Sequence, residues 1–179
     1  GMNSMNVHTV AYATQALAEL IREEGRTADG VAIAYDSRNN SELFAKTAAS
    51  VLAAADIPVY IFDELRPTPE LSFALRELGC VAGINITASH NPKEYNGYKV
   101  YWSDGAQLPP QHAAAVAEEM ANTDIFNDIK YVDFDEALSQ GLISYLGEEC
   151  DEDYLSCVMA QAIDPDEVAR VADSFKIVY

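Results

Sequence analysis

Val10, Ala13, Leu17, Leu20 and Ile21 recur at intervals of three and four, which places them on one face of a helix. The pattern predicts a helix over about residues 7–24, closed by Gly25. Val31 to Tyr35 is a short β-rich run. Leu43, Phe44, Thr47, Val51 and Leu52 then mark a second helix, with Asn40 or Ser41 as its N-cap. Val59 to Phe62 predicts another strand. Thr68-Pro69-Glu70 predicts a helix start, with Thr68 as cap, Pro69 at the first helical position and an acid in the first turn. That helix runs to Gly79, and Val81 to Thr87 predicts a third strand with Cys80 at its head as a core residue. The order is helix–strand three times over, with strands about 25 residues apart, which suits crossover connections and a parallel sheet. The strand runs are apolar on both faces, as a sheet covered by helices on both sides requires.

A different element follows. Asn96-Gly97 is a turn signal, and Tyr98, Val100 and Trp102 alternate with Lys99 and Tyr101, giving a strand with two distinct faces. Pro109 and Pro110 start a helix to about Asn122, with Ala113, Val116, Ala117 and Met120 expected on its packed side. The fold class is therefore α/β: a three-layer α/β/α domain with a mainly parallel sheet plus one antiparallel strand. Residues 128–174 are acidic and read as short helices with loops, the boundary falling near residues 122–135. Asp151-Glu152-Asp153 fits a helix N-terminus better than a metal site, because contiguous acids do not converge on one ion. Phe175 to Tyr179 reads as a closing strand, and a strand with no partner after it points to more protein beyond.

Charge narrows the function. The net charge of −18 argues against nucleic acid and against an anionic membrane surface, both of which need clustered Lys and Arg. Residues 1–105 hold 8 Lys and Arg against 13 Asp and Glu, whereas residues 106–179 hold 3 against 16. An anionic substrate is accordingly expected in the first part. Cys80, Cys150 and Cys157 match no zinc spacing and are expected as reduced thiols in a cytoplasmic protein. No secretory signal or membrane span is visible, and Gly1 before Met2 reads as a tag-cleavage scar.

In a parallel sheet, ligands collect at the carboxyl ends of the strands. The segments expected there are Asp36-Ser37-Arg38, Arg66-Pro67-Thr68 and Thr87-Ala88-Ser89-His90-Asn91-Pro92. They gather Arg38, Arg66, Ser89 and His90 on one edge, with Lys93 and Lys99 close by in sequence. Cations around a serine make a phosphate site. Two plainer readings stand beside it. Arg38 and Arg66 are equally suited to pairing with Asp36 or Glu64, and Ser89, His90 and Asn91 to satisfying loop backbone groups. A serine hydrolase is disfavoured: no Gly-x-Ser-x-Gly elbow is present, and adjacent residues on an extended segment point different ways. A nucleotide binder is disfavoured because no strand leads into Gly-x-Gly-x-x-Gly.

The segment Gly83-Ile84-Asn85-Ile86-Thr87-Ala88-Ser89-His90-Asn91-Pro92, continuing to Asn96-Gly97-Tyr98-Lys99, resembles the active-serine loop of the α-D-phosphohexomutases. Tyr35-Asp36-Ser37-Arg38 and Arg66-Pro67-Thr68-Pro69 fit the same family's first domain. The tail Val100 to Gln107 most resembles the phosphoglucomutase and phosphopentomutase-like branch. The resemblance covers roughly residues 5–125. It implies an intramolecular phosphotransferase that interconverts sugar 1-phosphate and 6-phosphate through a phosphoserine and a sugar bisphosphate. Ser89 would be the phosphoryl carrier, and a phosphate oxygen on it would bind Mg²⁺, the implied cofactor. Lys99 matches a lysine that touches substrate and assists proton transfer. His90 and Asn91 would shape or contact the phosphate, and Lys93, Arg38 and Arg66 stand beside them as phosphate-binding candidates from their expected place at the same sheet edge. Glucose phosphate is the first expectation. Mannose and pentose phosphates, or a non-catalytic mutase-like binding module, are the alternatives.

The resemblance also divides the chain. Residues 1–127 correspond to domain I without the family's opening Gly-Thr-x-Gly-x-Arg-Gly-like strand and loop. Residues 128–179 correspond to a linker and the incomplete start of a second α/β domain, with Phe175 to Tyr179 as its first strand. The Asp-Gly-Asp-Gly-Asp-like metal loop and the later sugar and phosphate loops are absent, so the remaining mutase domains are the implied partners. The expected consequence is that this chain alone, supplied with Mg²⁺, gives no sugar-phosphate turnover in a coupled assay. Rates in the ordinary enzyme range of roughly 1–10³ s⁻¹ would contradict it.

Overall fold

The computed structural model describes residues 4–178, and its first regular element starts at a reciprocal cap. Asn6 accepts from the His8 and Thr9 amides while the Thr9 hydroxyl accepts from the Asn6 amide, fixing the start of α1 (Val7–Glu23). Then come β1 (Val31–Tyr35), α2 (Ser41–Ala54), β2 (Val59–Phe62), α3 (Thr68–Glu77), β3 (Ala82–Ile86), β4 (Tyr98–Trp102) and α4 (Pro110–Asn122). A short helix α5 (Phe134–Ser139), strand β5 (Ile143–Leu146) and helices α6 (Glu148–Met159) and α7 (Asp166–Val171) follow. The sheet order is β4-β3-β1-β2-β5, with β4 antiparallel to β3 and every other pair parallel. This is the predicted α/β class, with the one reversed strand in the expected place.

The two faces of the sheet carry different side chains because strand residues alternate. Ile33, Ile61, Ile84 and Ile86 pack into one core with Leu17 and Ile21 of α1 and Leu52 of α2, all essentially fully buried. Burying a side chain of this size contributes about 1.5–3 kcal/mol. On the other face lies α3, whose Leu71 and Leu75 come so close to β3 that Gly83 has no room for a side chain. A Cβ there would stand 2.8 Å from Leu75 Cδ2. Gly83 and Asn85 therefore face α3, while Ile84 and Ile86 face α2. The same alternation puts Lys99, which pairs with Asn85, on the α3 face, and Val100, which pairs with Ile84, on the other.

The structure corrects several expectations. Thr68 does not cap α3: Pro67 is the N-cap residue, and the Thr68 hydroxyl instead accepts from the Asn85 amide at 2.7 Å. Helix α4 packs on only part of the expected side: Val116 and Met120 are half-buried as expected. Ala113 and Ala117 are exposed, while His112 stacks on Trp102 at 4.5 Å and Ala115 and Val116 meet the core. Its end is tied to α1 by a hydrogen bond from the Tyr12 hydroxyl to the Met120 carbonyl. Strand β5 was not foreseen. Only Ile143 of its four residues is buried, since an edge strand shows one apolar contact where an inner strand shows several. Residues 175–178 form no strand, consistent with their having no ladder partner among the described residues, and Tyr179 lies outside those residues.

The chain divides at Gly147–Glu148 into two compact units. The first runs beyond residue 127 because α5 packs on α2 and β5 pairs with β2. The second holds α6 and α7, and α6 opens on Glu148, Glu149 and Asp151, acids that favour a helix N-terminus. Among the described residues, no helix is long and apolar enough to cross a membrane.

Cys80 is buried beside α3. Burial, and secondarily the charge of Asp29, push its thiol up to about 12. The folded state therefore holds the neutral thiol, while the unfolded chain ionises near its ordinary value of about 8.5. The stability this contributes is complete below about pH 8.5 and is lost as pH rises towards 12. Alkylation at pH 8 is expected to modify exposed Cys157 and leave Cys80 untouched until the chain is unfolded. Equal labelling of both in the native state would contradict this.

Candidate active site

Three parallel strands end on one edge of the sheet, with Tyr35 of β1 level with Ile86 of β3. The antiparallel β4 begins at the same edge, Tyr98 opposite Ile86 and Lys99 opposite Asn85. The loops leaving β1, β2 and β3 are thus neighbours, as the topology required.

The serine loop is held from below by Thr87. Its amide donates to the Gly97 carbonyl at 3.0 Å, and its hydroxyl accepts from the Ser89 amide at 3.0 Å. A Cβ on Gly97 would lie 2.8 Å from the Thr87 carbonyl oxygen, so only glycine lets the two backbones approach this closely. The Asn91 amide closes a turn on the Ala88 carbonyl at 3.2 Å. Within that turn Ser89 adopts φ 59°, a left-handed conformation that costs an L-residue about 1–2 kcal/mol. Ser89, His90, Asn91, Pro92 and Lys93 are all exposed. The expectation of an extended segment is corrected here. The turn brings His90 Nδ1 to 3.4 Å from Ser89 Oγ, at the outer limit of a hydrogen bond.

The loop after β1 grips the serine loop through charge-assisted bonds. Asp36 accepts from the Arg38 amide at 3.0 Å, from Arg38 Nε at 2.9 Å and from the Ser41 hydroxyl at 2.8 Å. So fixed, Arg38 donates through Nη1 to the carbonyls of Asn91 at 2.5 Å, Pro92 at 2.7 Å and Tyr95 at 3.3 Å, and through Nη2 to the carbonyl of Ser89. Asn96 completes the junction, donating to Ser41 Oγ at 2.8 Å and to the Asn39 carbonyl at 3.2 Å. Hydrogen bonds to a charged group contribute about 1.5–3 kcal/mol each, so two of them outweigh the cost of the left-handed serine.

Arg66 is engaged differently. Its side chain reaches Asp63 at 3.3 Å and Glu70 at 3.7 Å, rather than Glu64, and lies over the Phe62 ring. The ammonium groups of Lys93 and Lys99 are in no ion pair among the described residues. Lys99 lies one register position inside the edge, across from Asn85, whose buried Oδ1 has no hydrogen-bond partner among the described residues. The structure thus brings Ser89, His90, Asn91, Lys93 and Arg38 into one loop cluster and sets Arg66 in the loop between β2 and α3 and Lys99 on β4. Asp36, Ser41, Asn85 and Asn96 were not read from the sequence as site residues. The available signal was Asp-x-Arg, in which a short carboxylate can take both the amide and the side chain of the residue two on. No group of three or more His, Cys, Asp or Glu among the described residues can hold a metal ion. A concavity of about 540 Å³ beside α2 is lined mainly by apolar side chains, among them Leu43, Phe126, Tyr131 and Phe134, with Lys46 and Asp133 also on its wall, and it does not include the serine loop.

Residues 1–126 match the sequence profile described as phosphoglucomutase/phosphomannomutase, alpha/beta/alpha domain I. A phosphoglucomutase of Staphylococcus saprophyticus is 39% identical over 154 residues, 86% of this chain and 28% of that protein. A phosphoglucomutase of Staphylococcus aureus is 48% identical over 108 residues, 60% of this chain and 19% of that protein. In three dimensions the chain is similar to the parafusin (phosphoglucomutase) of Paramecium, with TM-score 0.75 and 18% identity over 96% of this chain and 34% of that one, a likeness of fold. The chain spans between about a fifth and about a third of the length of these proteins.

The close approach of Gly97 to Thr87 makes a direct prediction. Gly97→Ala must push the two backbones apart and is expected to lower stability by about 1–3 kcal/mol in urea unfolding. An unchanged midpoint would show that the loop accommodates the methyl group.

Proposed function

We propose, because the chain belongs to the phosphoglucomutase/phosphomannomutase family through its α/β/α domain I, that it serves a phosphosugar mutase in which Ser89 carries the phosphoryl group. The observation that carries this reading is an exposed serine in a left-handed backbone conformation at the carboxyl edge of a parallel sheet. A residue kept in a sparsely populated conformation at a ligand-collecting edge is where function stores strain.

In the proposed reaction the P–Oγ bond of phosphorylated Ser89 breaks as a P–O bond forms to the free hydroxyl of a sugar monophosphate. The hydroxyl proton leaves to a base, and the released Ser89 oxygen takes up a proton, which it gives up again in the return transfer. The resulting sugar bisphosphate reorients, its other phosphoryl group returns to Oγ, and the proton passes to the sugar oxygen set free. Such transfer depends on positioning and charge stabilisation more than on covalent chemistry. Lys93 and Lys99, unpaired among the described residues, support the charge side of this reading. Lys99 is proposed to contact substrate and assist proton transfer, and His90 and Asn91 to meet the phosphate. Arg66, held by Asp63 and Glu70, is proposed to add positive potential at the edge. Mg²⁺ belongs to the proposal as the ion that offsets phosphoserine charge. The side chains described here do not form a cage for it. Ser89 would contribute one phosphate oxygen, and its other ligands would come from the remaining mutase domains. Glucose 1-phosphate and glucose 6-phosphate are the first substrates to test.

In a protein carrying all the mutase domains, Ser89→Ala is expected to lower glucose 1-phosphate isomerisation by at least ~10³-fold, since loss of a nucleophile removes its pathway. Turnover only with mannose or pentose phosphates would move the substrate assignment. Turnover that survives Ser89→Ala would refute the carrier role, and absence of any sugar-phosphate turnover by the unsubstituted protein would favour a binding module.

A further inference from the structure

We infer that Arg38 is a positioning residue for the serine loop: its guanidinium clamps the carbonyls of Ser89, Asn91 and Pro92 and so holds Ser89 in its left-handed conformation. The catalytic half of this inference rests on the function proposed above; the structural half does not.

Four observations carry it. The Arg38 side chain is nearly buried, 10% exposed, although the loop it holds is exposed. All three of its nitrogens are engaged within the protein, Nε by Asp36 and the two Nη groups by loop carbonyls. Those carbonyls run from Ser89 inside the turn to Asn91 at its end and Pro92 just after it, so one planar group ties the Ser89 peptide to the exit of the turn, while Thr87 holds the entry. The clamp is itself aimed, because Asp36 also binds the Arg38 amide and Ser41, and Ser41 meets Asn96 at the far end of the same loop. A planar guanidinium fork makes this set of bonds, whereas a single ammonium on a flexible stem does not span it. Arg38 is therefore withdrawn from the phosphate ligands expected from the sequence. It holds the loop that presents the serine.

The test uses Arg38→Met and Arg38→Lys. In this chain, NMR backbone order parameters of Ser89, His90 and Asn91 are expected at about 0.8 in the unsubstituted protein and below about 0.6 in Arg38→Met. Those of β1 and β3 should stay near the rigid value. Arg38→Lys, which keeps the charge and guards against a fold failure in the first variant, is expected to fall between. Unchanged loop order in Arg38→Met overturns the clamp. Loop and strands loosening together overturns positioning in favour of general fold support, and Arg38→Lys matching the unsubstituted protein overturns the role of the fork. In the protein carrying all mutase domains, Arg38→Lys is expected to lower kcat by about 30-fold with KM within about threefold, the pattern of a group that acts on the reacting geometry rather than on substrate binding. A rise in KM with kcat unchanged overturns positioning in favour of a substrate ligand. If the unsubstituted protein turns over no sugar phosphate, the proposed function fails while the NMR arm still decides Arg38.

Discussion

Asp36 stands where β1 leaves the sheet, and its carboxylate accepts from the Arg38 amide, the Arg38 guanidinium and the Ser41 hydroxyl. One oxygen takes two of those bonds and the other takes the third, so the carboxylate fixes a cation and the first residue of α2 at once. Everything beyond it follows from that placement. The arginine reaches across to the loop after β3, and Ser41 receives Asn96. Two loops far apart in sequence thus close on each other at one sheet edge. Without that junction the Ser89 turn would be an exposed excursion, and its left-handed residue would relax to a commoner conformation.

The sheet supplies the second constraint. Parallel strands deliver their carboxyl ends to one side, and the glycine at position 83 lets α3 sit close against β3 on the face shared by Asn85 and Lys99. The opposite face is a dry core of isoleucine and leucine. The serine loop is therefore mounted between a fully buried strand and the antiparallel strand that carries Lys99. The phosphoserine proposed for Ser89 would gain from such mounting, because fixed dipoles and charges need no rearrangement when the phosphoryl group arrives.

Much of this was legible in the sequence, for reasons that also explain what was not. Strands β1, β2, β3 and β4 and helices α1 and α2 have strong periodicity and clear punctuation, so their bounds fell within a residue or two. The gathering of residues 36–38, 66–68 and 87–92 at one edge followed from topology alone. The pairing of Arg38 with Asp36 was one of the readings the sequence left open, but the reach of its guanidinium to the serine loop was not legible. For Arg66 the carboxylate was misplaced: it met Asp63 and Glu70, three and four residues away, rather than Glu64 two away, because pairing depends on which carboxylate the fold brings near. Strand β5 escaped because an edge strand of four residues buries one side chain. On α4 Val116 and Met120 were placed inward correctly but Ala113 and Ala117 were not, because alanines on both sides of the helix make the edge of the apolar stripe ambiguous, and the contact of His112 with Trp102 decides it. Thr68 looked like a helix cap, but the buried Asn85 amide competes for its hydroxyl.

The central claim is that the loop exists to present Ser89 as a phosphoryl carrier. Intact mass spectrometry, followed by digestion, of the protein carrying all the mutase domains after incubation with a hexose 1,6-bisphosphate and Mg²⁺ tests it most directly. The account predicts one added phosphate of about 80 Da, located on Ser89. No added mass, or a phosphate on another residue, would contradict it and leave Ser89 as a loop residue without a part in the chemistry.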